Sequence, residues 1–343
     1  MAASLDKERC DYFDLLNLLA PAAAEALDAM RQAATLARRR YYGKTVSVYA
    51  PLYISNTCVN SCKYCDFNIH HHAERKILTL DEIRRECDAI RQNGIDSLLI
   101  VAGEDPKHMT VEFLGEVGRM LRERFSYLAL EVAPQDEAGY RALFAAGYEG
   151  LTCFQETYDQ KLYRELHPAG PKRDYDYRVG TQLRAGRAGF RTLGVAFLLG
   201  LADWRLEAAS LGAHALYLMK ECYRSKVQFA FPRITPVSDG FQPACPVNEA
   251  ELEQMMLAFR IVFPECGMTV STREAPEFRD RIVQSAADNM SAGSRVTPGG
   301  YAVLADRDVA QFTLNDSRSP AEVYSAIRLH GQQVVFKTWD NRI

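Results

Sequence analysis

The chain lacks a long hydrophobic run. Its longest, from Leu193 to Ala202, is about half the ~20 residues that a membrane-spanning helix needs. It lacks an excess of either charge: 41 Lys and Arg face 44 Asp and Glu, a formal net charge of −3, which gives no electrostatic reason to expect nucleic acid as the main partner. The opening stretch, Met1 to Cys10, carries charges where a signal peptide would place its apolar region, so a soluble, cytoplasmic protein is expected. No low-complexity linker divides the 343 residues, and a (β/α) barrel of ~250 residues or more can form a single unit from such a chain. A core of that size needs no disulfide staples. The nine cysteines are an odd number, and three of them, Cys58, Cys62 and Cys65, fall within eight positions. In a reducing compartment such crowding points to metal or redox chemistry, not a disulfide framework.

Residues 22 to 40, rich in Ala, Leu, Glu and Arg with Pro21 near the first turn, predict one amphipathic helix ending near Gly43. Arg38, Arg39 and Arg40 read as its solvated end. Beyond it the pattern alternates. Strands are expected at Val46–Ile54, Ser97–Val101, Tyr127–Val132, Leu151–Phe154, Leu193–Leu199, Val227–Phe231 and Met268–Thr272. Helices fit between most of them, at 79–93 (opened by the capping box Thr79 to Glu82), 111–124, 136–146, 175–188, 207–222 and 249–263. Gly94, Gly147, Gly189 and Gly267 each follow a helical run and precede the next strand, as helix-stopping glycines do. The repetition predicts an α/β fold with parallel strands, organised as an N-terminal helical extension (1–43), a barrel (44–297) and a C-terminal cap (298–343).

Cys58-Val-Asn-Ser-Cys62-Lys-Tyr-Cys65 has the spacing C-x3-C-x2-C and follows the first expected strand, on the face where a (β/α) barrel carries its active site. Thiolates so closely spaced converge only if the loop curls around something. An iron–sulfur cube offers several iron corners, usually takes four cysteines, and would here keep one iron open for substrate. A zinc site completed by His70, His71 or His72 is the competing reading, and with it a non-catalytic module. The other six cysteines, Cys10, Cys87, Cys153, Cys222, Cys245 and Cys266, read as small buried hydrophobes.

The triad, with an aromatic residue before its last cysteine, resembles the signature of the radical S-adenosylmethionine (SAM) superfamily. Further segments resemble its aromatic amino acid lyase branch: Val48-Tyr-Ala-Pro-Leu-Tyr53, Val101-Ala-Gly-Glu104, Phe154-Gln-Glu-Thr-Tyr158, Phe231-Pro-Arg233, Ser271-Thr-Arg-Glu274, Pro298-Gly-Gly-Tyr301 and Phe336-Lys-Thr-Trp-Asp340. The resemblance spans about residues 45 to 340 and departs from the family pattern at Ala102 and in the histidine run. It implies a TIM-type barrel, a [4Fe–4S] cluster held by Cys58, Cys62 and Cys65, and SAM at the open iron, with Tyr64 near the adenine. It places Ala102, Gly103 and Glu104 at the SAM ammonium, Glu156 at a ribose or ammonium, and Arg178 as a candidate clamp for the SAM carboxylate. An amino acid substrate would set its carboxylate on Arg273 with Ser291 as a neighbouring donor, and Tyr53 would touch it.

The implied reaction, in the tyrosine-lyase members, is Cα–Cβ cleavage of L-tyrosine to 2-iminoacetate and p-cresol, with SAM consumed to 5′-deoxyadenosine and methionine, for thiazole formation in thiamine biosynthesis. A tryptophan-directed lyase is the alternative. A related maturation enzyme carries a second cluster on C-terminal cysteines, whereas here no cysteine follows Cys266. Implied partners are a reductant protein such as flavodoxin or ferredoxin and a thiazole synthase.

Overall fold

The computed structural model describes residues 2–5, 7–71, 74–235, 240–302 and 310–337. Its centre is a closed ring of eight parallel strands: β1 (Thr45–Ser55), β2 (Ser97–Ala102), β3 (Tyr127–Glu131), β4 (Gly150–Thr152), β5 (Thr192–Ala196), β6 (Lys226–Ala230), β7 (Gly267–Val270) and β8 (Asn289–Ser291). β1 closes it by pairing β2 at Ala50 to Leu98 and β8 at Ser47 to Asn289. A ninth strand, β9 (Gln333–Val335), joins the start of β1 at Thr45. The alternation in β1 explains the barrel directly. Val46, Val48, Ala50, Leu52 and Ile54 are buried outward in the apolar layers shared with the helices, while Tyr49, Pro51 and Tyr53 line the interior. No helix among the described residues is long and apolar enough to cross a membrane.

The seven expected strands are present within one to three residues of their expected ends, and the Thr79–Glu82 capping box forms. Four expectations need correction. The segment after Pro21 is a 3₁₀ turn (Pro21–Ala26) followed by a separate helix, Leu27–Tyr42. Arg38 is not solvated: it is buried and donates to the carbonyls of Ala287 and Thr45, at 2.7 and 2.8 Å, tying the extension to the entry of β1 and β8. Residues 175–188 form two helices, Tyr175–Val179 and Thr181–Ala188, parted at Gly180. Gly94, Gly147 and Gly189 have φ of 76°, 115° and 109°, but Gly267 has no such conformation and is the first residue of β7. Helices Tyr12–Leu19, Gln160–Leu166, Pro276–Ser285 and Pro320–Leu329, with β8 and β9, were not foreseen. Strands of three residues are too short to show alternation.

The segment after Gln311 is anchored by charge. Arg279 and Asp316, both fully buried, pair, and Arg279 also donates to the Ser291 carbonyl; Arg318 reaches both Asp316, at 2.7 Å, and Asp280, at 2.8 Å. Removing one partner strands a buried charge, so Asp316→Ala should cost about 3–5 kcal/mol in denaturant unfolding. Burial raises the Asp316 pKa, but Arg318 and Arg279 more than offset it and hold the carboxyl below its ordinary value. The associated stability is therefore present above about pH 4 and is lost as pH falls below it, a loss that Asp316→Asn should not show.

Candidate active site

The loop leaving β1 is held from both sides. Asn56 donates to Glu74 O at 2.8 Å and accepts from Lys76 N at 2.6 Å, and Arg75 donates to the carbonyls of Asn56 and Phe67 at 2.8 and 3.0 Å. Asn60 is the hub. Its Nδ2 donates to Glu104 at 2.8 Å and lies 3.6 Å from Cys58 Sγ, while its Oδ1 accepts from Lys172 N at 2.9 Å. Two glycines permit these approaches. A Cβ on Gly103 would lie 2.2 Å from Thr57 O, and one on Gly170 (φ 91°) would lie 2.3 Å from Asn60 Oδ1. Cys58, Cys62 and Cys65 thus line one cavity together with Ala102, Gly103, Glu104, Glu156 and Arg178. All nine cysteines are free thiols. Burial pushes Cys62 up to about 12 and Cys65 to about 11.

A charge network forms the far wall. Arg178 donates to Glu104 at 2.8 Å and to the Phe154 carbonyl at 2.7 Å, and lies 3.8 Å from Glu156, which accepts from Lys172 Nζ at 2.5 Å. Although burial opposes it, Lys172 and Arg178 hold the Glu156 carboxyl below its ordinary pKa. Glu156, with φ 73°, is alone among described non-glycine residues in the left-handed region, the kind of strain that collects at functional sites. Burial lowers His167 to about 3. The ring is therefore neutral. Its Nδ1 donates to Tyr163 O at 2.7 Å, so its Nε2 accepts from the Tyr64 hydroxyl, 2.6 Å away.

A second cavity of about 160 Å³ opens deeper in the barrel and shares Cys65, Val101, Glu131, Phe154, Glu156, Lys172 and Gln311 with the first. Tyr53, Arg273 and Ser291 line it. The Arg273 guanidinium lies 3.4 Å from the centre of the Phe312 ring and, among the described residues, pairs with no carboxylate; its contacts are the Arg233 carbonyl and Thr235 Oγ1, both at 3.4 Å. Burial lowers its pKa. The Tyr53 hydroxyl donates to Gln311, and Ser291 Oγ accepts from Thr272 N at 3.2 Å. Glu131, at the end of β3, is pushed up to about 7 by burial and by Glu156.

Residues 52–210 match the Radical SAM superfamily, and residues 230–333 the Biotin and Thiamin Synthesis associated domain. The 2-iminoacetate synthase of Salmonella typhimurium is 40% identical over 329 residues, 96% of this chain and 87% of that protein. The chain belongs to the 2-iminoacetate synthase family of radical SAM enzymes. Its Escherichia coli counterpart is 39% identical over the same shares. Among solved structures, the FeFe-hydrogenase maturase HydG from Carboxydothermus hydrogenoformans superposes with a TM-score of 0.90 at 31% identity, covering 96% of this chain and 77% of that one.

Radical SAM enzymes use a [4Fe–4S] cluster and SAM, and the residues present fit both. Three free thiols share one wall, and the glycine approach at Gly103 leaves no room there for a side chain. Among the described residues no three His, Cys, Asp or Glu side chains gather as a single-ion site requires; His72, named in the zinc reading, lies outside those residues. Of the residues named from sequence, Cys58, Cys62, Cys65, Ala102, Gly103, Glu104, Glu156 and Arg178 line the first cavity, and Tyr53, Tyr64, Arg273 and Ser291 the second. Arg178 is not a free cation, since Glu104 holds it. Cys10 and Cys245 are half-buried, unlike the other four expected core cysteines. Asn60, Glu131, Lys172 and Gln311 were missed. Glu131 did carry a signal, as the charged residue closing an apolar strand.

Proposed function

We propose that this chain is a carbon–carbon lyase that cleaves the Cα–Cβ bond of L-tyrosine to 2-iminoacetate and p-cresol, consuming SAM to 5′-deoxyadenosine and methionine. The observation that carries this reading is the Arg273 guanidinium, which among the described residues pairs with no carboxylate, in a cavity that shares a wall with the cysteine cavity. Cys58, Cys62 and Cys65 would hold the [4Fe–4S] cluster, and Ala102, Gly103, Glu104 and Glu156 would face SAM, with Tyr64 beside it. When bound, this pair supplies the one-electron cleavage of a sulfonium that starts radical chemistry.

The chain's own residues then bind and orient. Arg273 takes the substrate carboxylate in bidentate fashion, with the centre of the Phe312 ring 3.4 Å from the guanidinium carbon. Tyr53, steadied by Gln311, and Ser291 bound the same cavity and exclude water from it. Arg178 and Lys172 act as positioning residues, because both are spent on Glu104 and Glu156. The electron comes from a small reductant protein such as flavodoxin or ferredoxin, and the imine product is passed to a thiazole synthase for thiamine formation.

The test is product analysis of oxygen-free, iron- and sulfide-reconstituted protein with SAM and dithionite, offered L-tyrosine or L-tryptophan. The expected result is p-cresol from tyrosine in step with 5′-deoxyadenosine, and no tryptophan consumption. Tryptophan cleavage with tyrosine untouched would overturn the substrate assignment.

A further inference from the structure

Among the described residues, the charged side chains around the inner cavity are paired, with one exception of each sign. Lys172 and Arg178 are tied to Glu156 and Glu104, and Glu274 to Arg233. Among the described residues, Arg273 meets no carboxylate, and no hydrogen bond or ion pair engages the Glu131 carboxyl. Glu131 closes β3, and Arg273 follows β7, four strands further round the ring, so the two stand on opposite walls of the barrel mouth. They are near enough for each to shift the other's titration. Glu131 also lines both cavities, on the wall between the cysteines and Arg273.

A cation and an anion left without partners among the described residues, facing each other across one cavity, complement a zwitterion, since a charge taken out of water is tolerated only when a partner of opposite sign meets it. We infer that Glu131 is the counter-ion for the α-ammonium group of the substrate, holding its nitrogen on the wall shared with the cysteine cavity while Arg273 holds the carboxylate. The inference rests on the reading of an amino acid as substrate. It accounts for how one end of a small zwitterion is turned toward the cysteines: carboxylate binding alone would leave the amine free to rotate away. Positioning of that kind supplies much of the rate in a reaction between two bound groups.

The groups facing Glu131 also give the site a pH dependence. Burial and Glu156 favour its protonated form, whereas Arg273, Lys172 and Arg178 favour the carboxylate, with the hydroxyls of Tyr49 and Tyr53 nearby. The balance lies at about 7. Below that pH a proton must leave Glu131 before an ammonium can pair with it, so the affinity for tyrosine falls as pH drops through this range.

The experiment measures anaerobic equilibrium binding to the reconstituted holoenzyme with SAM, using L-tyrosine and its analogue without the amine, 3-(4-hydroxyphenyl)propanoate. Glu131→Gln should weaken tyrosine binding on the order of tenfold to a hundredfold, abolish its pH dependence near 7, and leave propanoate binding unchanged. Glu131→Asp should restore part of the tyrosine affinity. Unchanged tyrosine affinity in Glu131→Gln overturns the inference. So does an equal loss for both ligands, which would mean that Glu131 meets the phenol or supports the cavity wall, and so does a wild-type protein that binds the two ligands equally well. The functional reading fails separately, when wild type binds tyrosine with this discrimination yet releases no p-cresol.

Discussion

Cys62→Ala should leave protein that retains little iron after anaerobic reconstitution and cleaves SAM no faster than a blank without protein. The three thiols sit on a loop whose shape is set by Asn56, Asn60 and Arg75, not by the sulfurs themselves, so the loop should survive the loss of one. What does not survive is the donor count. Burial pushes the Cys62 thiol up to about 12, so its sulfur is available as thiolate only when a metal replaces the proton. Cys153 also lines that cavity, but it lies outside the Cys58–Cys65 loop. Cys87→Ala is the matched control. Cys87 is buried in the outer layer between the barrel and the helix Leu80–Gln92, and its loss should cost about 1–2 kcal/mol of packing while leaving iron content and SAM cleavage unchanged. Full iron content and SAM cleavage in Cys62→Ala would remove the cysteine triad from the chemistry.

The barrel was legible because its signals are local. Strand β1 alternates over eleven residues, and glycines with positive φ mark three of the helix ends. The cysteine loop was legible because its donors lie within eight positions. The wall opposite was not, because it is built from partners far apart in the chain. Arg178 meets Glu104 across 74 residues, and Asn60 joins Glu104 to the backbone of Lys172 across 112. Nothing in the sequence near Arg178 shows that its charge is already taken, so it read as a clamp for a ligand, and Lys172 was missed. Arg38 misled for the same reason. Its neighbours are also arginines, but only Arg38 turns inward to the carbonyls at the barrel entry. Glu131 shows the converse: its environment, not its neighbours in sequence, makes it an unpaired carboxyl in a shared wall.

Three arginines, Arg260, Arg273 and Arg279, also separate structural from functional charge. Arg279 is spent on Asp316 and the Ser291 carbonyl, and Arg260 on Asp288 at 2.6 Å. Both cations meet a carboxylate of the protein and hold its elements together. Among the described residues the Arg273 guanidinium makes two hydrogen bonds, both at 3.4 Å, and has a ring beneath it. Long hydrogen bonds of this kind contribute little, so Arg273→Ala should change unfolding stability by less than about 1 kcal/mol. Its effect on tyrosine cleavage should be far larger. Losing the partner of a desolvated carboxylate costs about 2–5 kcal/mol, or roughly 30-fold to several thousand-fold in kcat/KM for tyrosine. SAM cleavage should continue slowly, uncoupled from p-cresol, because Arg273 does not line the cavity that all three cysteines share. Arg273→Lys should recover only part of the loss, since an ammonium restores the charge but not the two-point grip. Undiminished p-cresol output from Arg273→Ala would transfer the carboxylate to another group. Among the described residues the lining offers Lys172 as a second cation, and Lys172 could serve only by releasing Glu156, so the double variant Arg273→Ala with Lys172→Ala would then decide between them.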